Sequence, residues 1–212
     1  LEWSDSLGSA VSAIAFTNGE DRSASLEGFT VCNDAPTGVT LLRCKGASPW
    51  VRDCRFRARS SYMLWFQFSG ALVSGCRIEG QPGWDTRAIF CEDASGLVFD
   101  SLEVVDVEVF DGHVVECFRS DVRFSNSRFV GNYSEHRHGG AVSISASTVL
   151  VERCRLAKNE ADGYGGAIES TGSQVVLESC TVTGNRGQRG GGIQFLGGAL
   201  ELRRTVLWGN CA

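Results

Sequence analysis

A repeat of about 25 residues constrains this chain more than any other feature. Three stretches share one plan: GGAVSISASTVLVERCRLAKN from Gly139, GGAIESTGSQVVLESCTVTGN from Gly165 and GGGIQFLGGALELRRTVLWGN from Gly190. Each has paired glycines, an alternating strand, a turn, a second alternating strand and a closing Asn. Stepping back from Cys180, the equivalent positions are Phe29, Cys54, Cys76, Leu102, Ser127 and Cys154, with Thr205 one repeat on. A second column reads Phe16, Cys44, Phe66, Cys91, Cys117, Ile144, Ser170 and Phe195. Two residues before it stand Leu42, Leu64, Ile89, Val115, Val142, Ile168 and Ile193, mostly β-branched or Leu as a buried strand requires.

Short strands recurring at this period have two obvious solutions. A β-propeller needs four strands in about 40–50 residues, which the period cannot hold. A parallel β-helix gives each coil one rung in each sheet, and no coil buries a core alone. The expectation is an all-β, right-handed parallel β-helix solenoid of about eight coils. With rungs ~4.8 Å apart, the rod is roughly 35–40 Å long. It forms one domain over 1–212, and residues 1–10 fit no repeat and read as a partial cap. No stretch keeps a helical period over ten residues, and no linker marks a second domain.

Composition supports this and narrows function. Hydrophobic content of 42% with 21% charged residues is globular material, and 26 glycines against 3 prolines fit many tight turns. A net charge of −5 argues against a nucleic-acid partner. No apolar run is long enough to span a bilayer. The chain starts at Leu1 and stops at Asn210-Cys-Ala212, where another repeat would begin. Both ends suggest a piece of a longer protein, so a missing leader says nothing about location.

The GGA[IV] entries at Gly139–Val142 and Gly165–Ile168, the closing Phe129-Val-Gly-Asn132 and the Ser48-Pro-x-Val-x-x-Cys-x-Phe56 strand resemble bacterial right-handed parallel β-helix proteins of the pectate-lyase-like fold. The glycine entry and the FxxN close are similar to the repeats of chlamydial-type polymorphic outer-membrane proteins. The resemblance covers nearly the whole chain from about Val11. It implies the fold, and it implies that polysaccharide binds along the side of the rod. Lyases, hydrolases, adhesins and passive stalks all use this fold.

Nine cysteines invite a disulfide or zinc reading. The columns favour buried thiols instead, since free Cys packs as a small hydrophobe. There is no CxxC motif, and stacked side-chain vectors are poorly set for disulfides. Cys32 and Cys211 fall outside both columns and are the more reactive thiols. Asn132, Asn159, Asn185 and Asn210 form a further column, expected to stack amides along the rod. The paired glycines permit positive φ or close rung contact. Gly190-Gly-Gly192 precedes a strand and lacks GK[ST], which excludes a phosphate loop.

Candidate chemistry lies between each closing Asn position and the next strand. These segments read Pro82-Gly-Trp-Asp-Thr-Arg87, Glu108-Val-Phe-Asp-Gly-His113, Tyr133-Ser-Glu-His-Arg-His138, Glu160-Ala-Asp-Gly-Tyr164 and Arg186-Gly-Gln-Arg189. Read as loops, they stack on one edge of the rod. Ring faces stack on pyranose C–H surfaces, and polar groups bond hydroxyls. The ligand-binding candidates are therefore Trp84, Asp85, Arg87, Asp111, His113, Tyr133, His138, Glu160, Arg186 and Arg189. Glu135 with Asp162 or Asp111 could form an acid–base pair, with His136 or Tyr164 moving a proton. His113, His136 and His138 could hold a divalent metal. The acidic run from Glu92 to Glu116, with Asp93, Asp100, Asp106 and Asp111, could take calcium but lacks the GGxGxD repeat. No cofactor is otherwise expected.

Three readings of function follow. The leading one is a secreted or cell-surface recognition module, adhesive or stalk-like and glycan-binding, outside the cell or on a bacterial surface. The second is a polysaccharide lyase or glycoside hydrolase with its site in the loop column. The third is a non-catalytic sensor or scaffold domain. Open rungs at both ends predict end-to-end self-association.

Overall fold

The computed structural model describes residues 12–33, 39–58, 62–84, 87–135 and 139–212. The expected partial cap lies outside them. The described residues hold strands and no helix, and each strand pairs in parallel with its counterpart one repeat away. The chain is a right-handed parallel β-helix with four faces per turn.

Face one is built by Ser12–Phe16, Thr40–Lys45, Leu64–Gln67, Arg87–Glu92, His113–Phe118, Val142–Ser145 and the first parts of Ile168–Glu178 and Ile193–Arg203. Face two holds Ser25–Glu27, Trp50–Arg52, Leu72–Ser74, Leu97–Asp100, Asp121–Ser125, Thr148–Glu152 and the second parts of the two long strands. Face three runs from Thr30–Asn33 and Arg55–Ala58, through the starts of Arg77–Trp84 and Glu103–Phe110, to Arg128–Val130, Arg155–Ala157, Thr181–Thr183 and Val206–Trp208. Face four uses the ends of Arg77–Trp84 and Glu103–Phe110, then Tyr133–Glu135, Glu160–Tyr164 and Arg186–Arg189. Eight rungs in a column span about seven turns.

The register lines agree with the sequence columns. Phe16, Cys44, Phe66, Cys91, Cys117, Ile144, Ser170 and Phe195 stand in one line. Inside the rod Phe99 stacks on Phe124 at 5.1 Å, and Phe66 and Phe129 meet them edge-on at 5.6 and 5.4 Å. Such pairs add about 0.5–1.5 kcal/mol each beyond burial.

The second strand of each repeat differs from its sequence reading. Val122–Phe129 reads as one strand, but the chain bends at Asn126 (φ 53°) from face two to face three. Asp53, Ser101, Arg153, Ser179 and Arg204 take the same left-handed turn. That turn costs a non-glycine residue roughly 1–2 kcal/mol, so the corner needs compensation. The cysteine column, one residue further on, supplies it. Cys154 Sγ donates toward the carbonyls of Phe124 (3.5 Å) and Glu152 (3.2 Å) and accepts the Ser127 N–H (3.4 Å). Cys180, and Thr205 beyond it, bond the corner carbonyls in the same way. These thiols close a corner as well as fill space. All nine cysteines are free, with only Cys32 and Cys211 exposed. Burial pushes the Cys44 and Cys76 thiols up to about 12. The Cys180 sulfur and burial together push Cys154 up as well.

At the corner between faces three and four, each Asn bonds the next. Asn132 Nδ2 donates to Asn159 Oδ1 (2.9 Å) and to the Val104 carbonyl (3.0 Å), and its N–H reaches the same Oδ1 (3.1 Å). Asn159 repeats this on Asn185, and Asn185 on Asn210. The edge between faces four and one carries the paired glycines. Gly165 takes φ 67° and a Cβ on it would lie 2.2 Å from the Ile168 carbonyl oxygen, while a Cβ on Gly166 would lie 2.2 Å from the Gly191 carbonyl oxygen.

Candidate functional site

Face four corrects the expected loop column. Tyr133–Glu135, Glu160–Tyr164 and Arg186–Arg189 are paired strands, with Glu108, Tyr133, Glu160 and Arg186 in register. Their inward positions are the small residues Ser134, Ala161 and Gly187, which leaves no hydrophobic period in the sequence. The outward positions carry the expected candidates. Tyr133 Oη donates to Asp162 Oδ1 at 3.0 Å, and Arg186 lies 3.9 Å from Glu160. Arg189 sits over the Tyr164 ring at 5.4 Å. Burial and the Asp162 carboxylate push the Tyr133 phenol up to about 12, which keeps the hydroxyl protonated as a hydrogen-bond donor.

The remaining candidates are spread more widely. Glu135 pairs through its backbone with Phe110, and Trp84 does so from the other side. Asp111 occupies a left-handed position (φ 53°) where faces four and one meet. His113 stands in register with Arg87 on face one. Asp85, His136 and His138 lie outside the described residues. Asp93 and Asp106 take left-handed positions at two other corners, and Asp100 accepts from Ser125 (2.8 Å) and Asn126 (2.6 Å). The acidic run is thus divided among corners. Among the described residues no group of three or more His, Cys, Asp or Glu side chains is placed to hold a metal.

The richest arrangement is on the outer side of face one, next to face four. Arg43, Trp65, Phe90, Glu116, Ser143, Glu169 and Gln194 form one outward register line. Trp65, Phe90 and Tyr62 make an aromatic cluster, with centroids 5.7 Å apart for Tyr62–Trp65 and 6.0 Å for Trp65–Phe90. Arg43 covers the Trp65 ring at 4.5 Å, and Arg87 covers Phe90 at 5.2 Å. Arg87 also donates to Tyr62 Oη (3.0 Å) and to Glu116. Burial opposes the Arg87 charge, but Glu116 outweighs it and the guanidinium pKa is raised. Further along, Glu169 accepts from Ser143 Oγ (3.1 Å) and Thr171 Oγ1 (2.6 Å). Although Ser143 and Glu169 alternate with core positions, they are only 5% and 6% exposed.

Of the sequence candidates only Arg87 belongs to this cluster. Glu116 enters the sequence reading only as the end of the acidic run, and Arg43, Tyr62, Trp65, Phe90 and Glu169 not at all. The available signal was the column between the two core columns. Trp65 lies between Leu64 and Phe66, where an aromatic residue reads as core.

The family model described as "Right handed beta helix region" matches residues 12–203. The chain belongs to this family. In this right-handed β-helix protein the match runs from the first described strand to the last residue of Ile193–Arg203. No curated protein matches the chain at a significant level. Among solved structures, a trypsin-treated form of QnrB1, a plasmid-mediated fluoroquinolone resistance protein, is similar at 14% identity. The alignment covers 84% of this chain and 91% of that one, with a TM-score of 0.20, too low to bear on fold or function. No described helix is long and apolar enough to cross a membrane.

Proposed function

We propose that this β-helix is a secreted or cell-surface recognition module that binds a glycan along faces one and four. The observation that carries the reading is the Tyr62–Trp65–Phe90 cluster, set outward between arginines and beside carboxylates. Aromatic faces with a few fixed polar groups match the amphipathic faces of sugar rings. Tyr133, Asp162, Tyr164 and Arg189 on face four supply further rings and hydroxyl partners on later rungs of the rod. The test is a glycan array with the wild-type protein and Trp65→Ala. Binding that Trp65→Ala weakens at unchanged melting temperature supports the reading; an array with no binder, or full binding by Trp65→Ala, defeats it. Cleavage assays on any bound glycan separate recognition from a polysaccharide lyase or glycoside hydrolase.

A further inference from the structure

Arg43 and Trp65 stand on adjacent rungs, in register, at one end of the aromatic cluster. Phe90 and Arg43 come from rungs on opposite sides of Trp65, so the indole has an aromatic neighbour on one side and a guanidinium on the other. A sugar ring can therefore reach an indole face only where Arg43 now lies. That closed position is poorly satisfied. Arg43 Nε and Trp65 Nε1 are both buried without a hydrogen-bond partner, and so is Gln67 Oε1 one position along the outer face. A buried donor left unpaired forfeits the hydrogen bonds that water gave it. Arg87 has Glu116 as a counter-charge, whereas Arg43 forms no ion pair among the described residues.

We propose that Arg43 is an anion-drawn cover over Trp65. The carboxylate or sulfate of an acidic sugar engages the guanidinium fork and draws it off the indole. The sugar ring then takes its place, and Trp65 Nε1 and Gln67 Oε1 gain hydroxyl partners. A guanidinium recognises a carboxylate or sulfate by paired, charge-assisted hydrogen bonds, which supply the partner that the closed position lacks. The inference rests on the glycan reading and adds the class of sugar and the residue that selects it.

The test uses the difference in indole emission between the wild-type protein and Trp65→Phe, which isolates Trp65. The probes are a galacturonate trisaccharide, a neutral galactose trisaccharide and inorganic sulfate. The acidic trisaccharide should shift Trp65 emission and bind roughly tenfold more tightly than the neutral one, as one charged hydrogen-bonded contact allows. Arg43→Gln should erase that preference at unchanged melting temperature. Arg43→Lys, which keeps the charge but not the fork, should fall between. Equal binding of both sugars, unchanged in Arg43→Gln, overturns the cover and leaves the glycan reading standing. A sulfate response of Trp65 with no sugar binding supports the cover and counts against the glycan reading. Silence with all three probes defeats both.

Discussion

Two corners of the rod meet the same demand with different side chains. Each follows a left-handed residue and must satisfy backbone groups facing the interior. At the amide corner, each Asn spends its Nδ2–H on the next Asn and on a carbonyl, so neighbouring rungs depend on one another. At the thiol corner, one sulfur or hydroxyl bonds a carbonyl of its own turn and also reaches the rung before, and Cys, Ser and Thr share one column. The difference teaches that a ladder of amides, each donating two hydrogens at once, is strict about residue type over the last four rungs. A column that needs a single S–H or O–H is permissive.

The glycine edge sets an upper limit for both corners. Gly166→Ala forces a Cβ to 2.2 Å from the Gly191 oxygen and 2.4 Å from the Arg186 oxygen, both backbone atoms that cannot step aside alone. Loss of the cooperative fold in the C-terminal rungs is expected, about 4 kcal/mol or more, read from urea melts. Asn159→Leu comes next. It leaves Asn132 N–H and Nδ2–H, both buried, without their acceptor, and should cost about 2–4 kcal/mol in the same measurement. An Asn159→Leu variant of wild-type stability would break the strictness ascribed to the amide corner.

Alkali should tell the corners apart, because amides do not titrate. Burial raises the Cys76 thiol from 9.0 in the free group to about 12, so the unfolded chain gives up this proton first. Stability should therefore hold below about pH 9 and fall as pH rises toward about 12. Cys76→Ser should flatten that fall, and Asn159→Leu should leave its slope unchanged. An alkaline slope unaffected by Cys76→Ser would detach it from this corner. The smallest effect is expected for Cys154→Ser. Ser127 and Thr205 already fill equivalent positions, so a change within about 1 kcal/mol should follow. A loss as large as that of Asn159→Leu would erase the contrast.

These contrasts bear on what was legible in the chain. The core columns could be read because most of their members are apolar or Cys, with Ser127, Ser170 and Thr205 the exceptions. The amide column could be read because Asn recurs at one position in the last four repeats. The thiol corner could not, because Asn126, Arg153, Ser179 and Arg204 turn left-handed without being glycine. Face four passed for loops because Ser134, Ala161 and Gly187 are too small to mark a buried side. The Trp65 cluster was hidden by hydrophobicity itself, since Trp65 and Phe90 point outward between residues that point inward. Alternation within the strand, and not residue class, carried that information.

The four corners also differ in their tolerance of length. The same number of residues separates Val115 from Asn132, Val142 from Asn159, Ile168 from Asn185 and Ile193 from Asn210. From each Asn to the next face-one strand, the count changes with every repeat. Over these last four repeats, insertions and deletions are thus confined to one edge, while the rest of the rung stays in phase. For an engineer this edge is a row of graft points: foreign peptides could be spliced in at chosen rungs and displayed at fixed intervals, without retuning the rod that carries them.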